Sequence, residues 1–190
     1  MPKPTFTLAT LLAAFLAASA PIARAEQPAW QVCFTPGQDC TGLIVGEIGR
    51  ARTSILVQAY SFTSVPILSA LKAAHARGVD VEVIVDKTSA KASKSGSRYS
   101  AATYLTNAGI PVWVDVQVSI AHNKVMVLDG ATVITGSFNF TAAAQNHNAE
   151  NLLIIRDSQL ALQYRANWES RRAVSVPYAG PIEGSPAAEE

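Results

Sequence analysis

Along the chain, apolar positions recur in two alternating rhythms. From Thr41, residues Leu43, Ile44, Glu47 and Ile48 fall on one face at helical spacing, and SILVQAYSF then forms a continuous apolar run of strand length. Residues 65–77 return to helical spacing and stop at Gly78, a natural C-cap, before VDVEVIVD alternates apolar and polar like a strand. Residues 98–107 form the next helical stretch, closed by Gly109, and IPVWVDV is again a strand. Strands alternating with helices at these lengths predict an α/β fold, a mixed sheet flanked by helices, with parallel neighbours in its first half. The second half changes character. KVMVL and ATVIT flank Asp129-Gly130, whose residues supply the positive φ angles of a tight hairpin turn. NLLIIRD reads as a further strand and residues 158–172 as a terminal helix, with Asp157 or Ser158 as N-cap.

The two ends do not fit this pattern. Lys3, a nearly unbroken apolar stretch at 8–20 and the small residues of Ala23-Arg24-Ala25 have the order of a secretory leader, expected to be cleaved before Glu26. That stretch falls short of the roughly 20 apolar residues of a spanning helix. We therefore expect a periplasmic or secreted protein with no membrane anchor after cleavage. Its length suits a single catalytic domain over 26–175, followed by a loose Pro-, Gly- and Ala-rich tail over 176–190.

Without Lys3 and Arg24 the chain has 13 basic and 14 acidic residues, a net of −1, so overall charge does not favour nucleic acid. Its distribution is more informative. Lys87, Lys91, Lys94 and Arg98 lie in a Ser-rich segment with no acid until Asp115, which suits phosphate contacts as well as it suits a merely solvated loop. The two cysteines, Cys33 and Cys40, flank Pro36-Gly37, a turn that folds the segment back on itself. In an exported chain a disulfide is the favoured reading, since no His or third Cys stands nearby at metal-ligand spacing.

The segment 119–151 concentrates polar groups that neither core nor turn requires. In extended backbone His122 and Lys124 share a face about 7 Å apart, and Ser137 and Asn139 are related in the same way. A two-residue Asp129-Gly130 turn pairs Leu128 with Ala131, which places Lys124 opposite Thr135 and His122 opposite Ser137. One imidazole, one ammonium, a hydroxyl and a carboxamide then converge at the open end of a hairpin. Such a set is an anion site with a titratable group in it, suited to a phosphodiester.

The pattern His122-x-Lys124-x4-Asp129, then Gly136-Ser137-x-Asn139 and Glu150, resembles the HKD motif of the phospholipase D superfamily at six polar positions. The AYSF strand end, the RGVDVEVIVD stretch and GSFNFT extend the likeness to the small bacterial endonucleases of that superfamily. The resemblance implies a metal-free, cofactor-free ping-pong hydrolysis through a phosphohistidine. By position His122 is nucleophile or acid, Lys124 and Asn139 hold phosphate oxygens, Ser137 assists, and Glu150 orients the imidazole. Asp129 carries the motif's aspartate, although its turn position already accounts for it.

Such a mechanism needs two histidines from two motif copies, yet the chain has no internal repeat and only His75 and His147 besides His122. His75 falls near a helix end and His147 in a loop. A two-fold homodimer sharing one cleft supplies the second copy of His122. The basic segment and the lack of an apolar or amphipathic entrance favour a nucleic-acid substrate, and hence a sequence-nonspecific endonuclease. Phe138 and Phe140 fit base stacking or, more commonly, a core. A phospholipase D acting on lipid head groups or small phosphodiesters is the second reading, and a non-catalytic nucleic-acid-binding protein the third. A metallonuclease using Asp86 or Asp129 is disfavoured because no carboxylate cluster accompanies the histidine.

Overall fold

The alternating runs assemble into one mixed sheet between two helical layers. In the computed structural model, residues 29–90 and 100–180 are described. The leader, the basic positions Lys91, Lys94 and Arg98, and residues 181–190 lie outside them. In chain order the elements are β1 (Trp30–Thr35), α1 (Cys40–Arg50), β2 (Ser54–Ala59), α2 (Val65–Ala76), β3 (Asp80–Asp86), α3 (Ala101–Asn107) and β4 (Val112–Asp115). There follow β5 (Lys124–Leu128), β6 (Thr132–Gly136), α4 (Ala142–Asn146), β7 (Glu150–Arg156), α5 (Ser158–Val174) and β8 (Val176–Pro177).

The strand order is β1-β7-β6-β5-β2-β3-β4-β8. Only β2, β3 and β4 are mutually parallel, as the helix-linked first half predicts, and the hairpin-linked strands pair antiparallel. β2 is largely apolar because both of its faces are covered, with Gln58 its one buried polar side chain. Ile55, Val57 and Ala59 pack into the larger core beneath α1, α2 and α3. Leu56 packs into the smaller core against Ala161 and Trp168 of α5. Trp168 Nε1 donates to Val57 O at 2.9 Å, which ties α5 to the centre of the sheet.

Two features differ from the sequence pattern, the strand at 30–35 and the course of the chain beyond Val174. Trp30–Thr35 forms an edge strand on β7, with Cys33 and Thr35 buried and Trp30, Val32 and Phe34 exposed. Cys33 at this edge is joined to Cys40, the first residue of α1, with their Cα atoms 5.7 Å apart. The chain beyond Val174 does not loosen at 176: Val176–Pro177 pairs with β4, and Tyr178 is buried with its hydroxyl 2.6 Å from Thr103 Oγ1. Phe138 and Phe140 are fully buried in the core, the commoner of the two placements expected for them.

This topology brings one set of strand ends together. Ala59 of β2 pairs with Lys124 of β5, Asp86 of β3 with Asp115 of β4, and Thr35 of β1 with Glu150 of β7. The Asp129-Gly130 turn lies at the opposite end.

Candidate active site

The hairpin that carries the polar set is built with one residue more than its turn signal implies. Asp129 (φ 53°) and Gly130 (φ 62°) occupy the left-handed turn positions, and Ala131 N donates to Leu128 O at 3.0 Å. Pairing resumes at Leu128–Thr132, however, which puts Val125 rather than Lys124 opposite Thr135. Ala131 is left outside the ladder, with its carbonyl accepting from Asp157 N at 3.0 Å. The predicted pairing of His122 with Ser137 is therefore absent.

The groups meet by another route. Lys124 projects to the same face as Met126 and Leu128, and only 7% of it is exposed. Its Nζ donates to His122 O at 2.8 Å and lies 5.0 Å from the centre of the Tyr60 ring. That ring in turn lies 4.5 Å from the His122 imidazole. Burial pushes the Lys124 ammonium below the ordinary lysine value, and the Glu150 carboxylate pulls it partly back. Beyond β6, Ser137 N and Phe138 N both donate to Asn151 O, which turns the chain so that Ser137 Oγ donates to Glu150 Oε2 at 2.6 Å. Asn148 Nδ2 donates to Glu150 Oε1 at 3.0 Å. The Asn139 side-chain oxygen is buried with no hydrogen-bond partner, a polar atom whose burial is costly unless a ligand donor reaches it.

Glu150 thus holds Ser137 and balances Lys124, whereas no hydrogen bond joins it to His122 among the described residues. The His122 imidazole is exposed, beside a cavity of about 290 Å³ lined by Gln58, Asp86, Asp115, Asn123 and Arg171. Asp115 is closed by two 2.7 Å bonds from Arg171. Tyr60 is the residue the pattern missed. Its signal was the AYSF strand end, which places an aromatic ring just where β2 meets Lys124.

Other expected residues lie elsewhere or have other work. Asp129, placed in the catalytic set by its motif position, sits at the far end of the hairpin and accepts from Arg52 N, Thr53 N, Thr53 Oγ1 and Ser54 N. Burial raises its pKa, but those hydrogen bonds outweigh it and hold the carboxyl below the ordinary range. Lys87, expected to contact nucleic acid, donates its Nζ to Val118 O at 3.2 Å. The Asp86 carboxylate oxygens are both occupied by protein donors, from Thr88 and Ala121. His75 stands on the last turn of α2, at the end of the sheet remote from His122, and His147 is the exposed C-cap of α4.

An exposed imidazole, a partly desolvated ammonium, a carboxamide and a carboxylate-held hydroxyl are groups that can together receive a phosphate, the carboxamide through its NH₂. Residues 44–172 match the family model described as cardiolipin synthase, PLD-like domain. A phospholipase D of Rickettsia bellii is 45% identical over 141 residues, spanning 74% of this chain and 68% of that protein. A mitochondrial cardiolipin hydrolase of Xenopus tropicalis is 35% identical, spanning 63% of this chain and 55% of that one. Nuc of Salmonella typhimurium, a phospholipase D family member, superposes with a TM-score of 0.71 at 36% identity, covering 80% of this chain and 99% of that one. Geometry and likeness agree that the chain belongs to the phospholipase D superfamily and is a hydrolase of phosphodiester bonds.

Proposed function

We propose that this protein is an exported, metal-independent phospholipase D that removes phospholipid head groups through a phosphohistidine on His122, acting as a homodimer. The polar set around Lys124 carries the phosphodiesterase part of this reading. The substrate part rests on the surroundings of the site. Val65, Val116 and Ile120 are exposed; Val65 opens α2 just beyond β2, and Val116 and Ile120 follow β4, at the same end of the sheet as His122, with Ile120 lining the same cavity. The sequence shows no apolar entrance because these three positions are scattered over 56 residues and reach the same end of the sheet only in the fold. Exposed apolar side chains around a catalytic mouth suit acyl chains better than a polyanion. The names of the Rickettsia and Xenopus relatives point the same way.

In the proposed reaction an imidazole nitrogen of His122 attacks phosphorus, a P–N bond forms, and the bond to the head-group oxygen breaks. The departing alcohol takes a proton from a second His122, and water then cleaves the P–N bond. Lys124 and Asn139 hold the non-bridging oxygens. The second histidine comes from another copy of the chain, because His75 lies at the wrong end of the sheet and His147 has no Lys partner of its own.

Endonuclease activity is the second reading, supported by the basic run that continues from Lys87 through Lys91, Lys94 and Arg98. Vesicles of phosphatidylcholine and of cardiolipin, plasmid DNA and bis(4-nitrophenyl) phosphate, compared in EDTA, separate the two. Lipid turnover without DNA cleavage is expected, and DNA cleavage without lipid turnover reverses the order. DNA binding without turnover of any substrate, unchanged in His122→Ala, returns the protein to a binding role.

A further inference from the structure

The loop that presents His122, residues 116–123, has no strand or helix of its own. A side chain that must hold a reacting geometry needs its backbone fixed by something. Here the fixing groups are mainly side chains from neighbouring strands. Asp115 Oδ1 accepts from Gln117 N at 3.2 Å, and Lys87 Nζ donates to Val118 O at 3.2 Å. Asp86 Oδ2 accepts from Ala121 N at 2.8 Å, and Lys124 Nζ donates to His122 O at 2.8 Å. Gln58 Oε1 accepts from Asn123 Nδ2 at 2.7 Å. Among the described residues, Tyr60 N to Asn123 O, at 3.0 Å, is the loop's one backbone–backbone bond.

Two of these groups bracket the histidine. Asp86, 1% exposed at the end of β3, grips the residue before it, and Gln58, 5% exposed on β2, grips the residue after it. Both are themselves held: Asp86 Oδ1 accepts from Thr88 N at 2.8 Å and Thr88 Oγ1 at 2.7 Å, and Gln58 Nε2 donates to Asn167 Oδ1 on α5 at 3.4 Å. Neither belongs to the motif, and neither adjoins the Lys124–Glu150 pair. We propose that Asp86 and Gln58 are positioning residues, which hold the His122 imidazole in line for attack by gripping the Ala121 amide on one side of it and the Asn123 side chain on the other. The inference rests on His122 being the reacting group, and it adds to the active site two residues 64 and 36 positions upstream of the histidine.

The test uses the full chain, with steady-state kinetics on bis(4-nitrophenyl) phosphate and the single-turnover rate at which His122 becomes labelled. In Asp86→Asn only one acceptor oxygen remains, so either Thr88 N or Ala121 N faces an amide NH₂. A displacement of the imidazole by a fraction of an ångström then lowers kcat about 30-fold with KM within about 3-fold. Gln58→Met removes the acceptor for Asn123 and lowers kcat about 10-fold in the same manner. Thr88→Val loses one bond to the same carboxylate but leaves Ala121 gripped, and keeps kcat within about 2-fold. Circular dichroism confirms the folded fraction of each variant, and if Asp86→Asn does not fold, Gln58→Met decides. The proposal is overturned by wild-type labelling rates in a folded variant, by a loss carried in KM, or by an equal loss in Thr88→Val. Label on a residue other than His122 in the wild type breaks the phosphohistidine reading instead.

Discussion

At the scale of single residues, the site depends on how Lys124 is kept charged in a buried position. Its pKa is lowered by burial and raised again by Glu150. The ammonium therefore loses its proton at a lower pH than an exposed lysine, and binding of inorganic phosphate should weaken as pH rises through that lowered value. Removing the nearby negative charge in Glu150→Gln should move the alkaline limb of phosphate binding to still lower pH, measurable by calorimetric titration across the pH range. A limb that stays put or moves upward contradicts the coupling. For stability the sign is the reverse: between the lowered folded value and the unfolded one, the unfolded chain holds more protons, so stability rises with pH there. Asp129 makes the opposite case. Its depressed carboxyl adds stability above the unfolded value, and that contribution is lost as pH falls through the folded one. Asp129→Asn, which tolerates the positive φ, should lose about 1 to 2 kcal/mol in denaturant unfolding while kcat stays within about 2-fold. A large loss of kcat with stability intact would return Asp129 to the catalytic set.

At the scale of elements, the ends of β6 and β7 set the site's shape through one glycine. Gly136 has φ 149°, and a Cβ there would stand 2.3 Å from Asn151 O, the carbonyl that both Ser137 N and Phe138 N use. Gly136→Ala should therefore separate β6 from β7, lower stability by about 2 kcal/mol or more and displace Ser137 from Glu150. Thermal melting with kcat measured well below the transition checks this, and an alanine variant with both unchanged refutes it. The same elements show what the sequence disclosed. β2 was legible from its apolar run, β3 from its alternation, β5 and β6 from the Asp129-Gly130 turn between two apolar runs, and α2 and α5 because their apolar spacing is helical. β1 was not legible, since its outward Trp30, Val32 and Phe34 are as apolar as a core and leave no alternation. The pairing of β5 with β6 was misjudged by one residue because nothing in Asp129-Gly130-Ala131 reveals that Ala131 stays out of the ladder. The polar set itself was readable from local spacing, whereas Asp86, Gln58 and Tyr60 reach the site through strand pairing across long sequence separations.

At the scale of the whole molecule, one chain presents one exposed imidazole on the loop beside Lys124, and the proposed chemistry uses two. If two copies share a cleft, a mixed dimer of wild-type and His122→Ala chains carries a single histidine. Activity should then fall faster than the fraction of wild-type chain as the variant is mixed in, and sedimentation should give twice the chain mass. A linear fall, or an active monomer, points to self-contained subunits. The exposed apolar side chains around the same end are consistent with a face that meets either a second copy or a lipid surface. The central claim is that His122 carries the phosphoryl group between the two half-reactions. It is tested most directly by quenching the enzyme during turnover of a ³²P-labelled phosphodiester in EDTA and mapping the label by peptide sequencing. Alkali-stable, acid-labile label on the peptide that contains His122 is the predicted result; label on another residue, or turnover with no covalent label at any quench time, contradicts it.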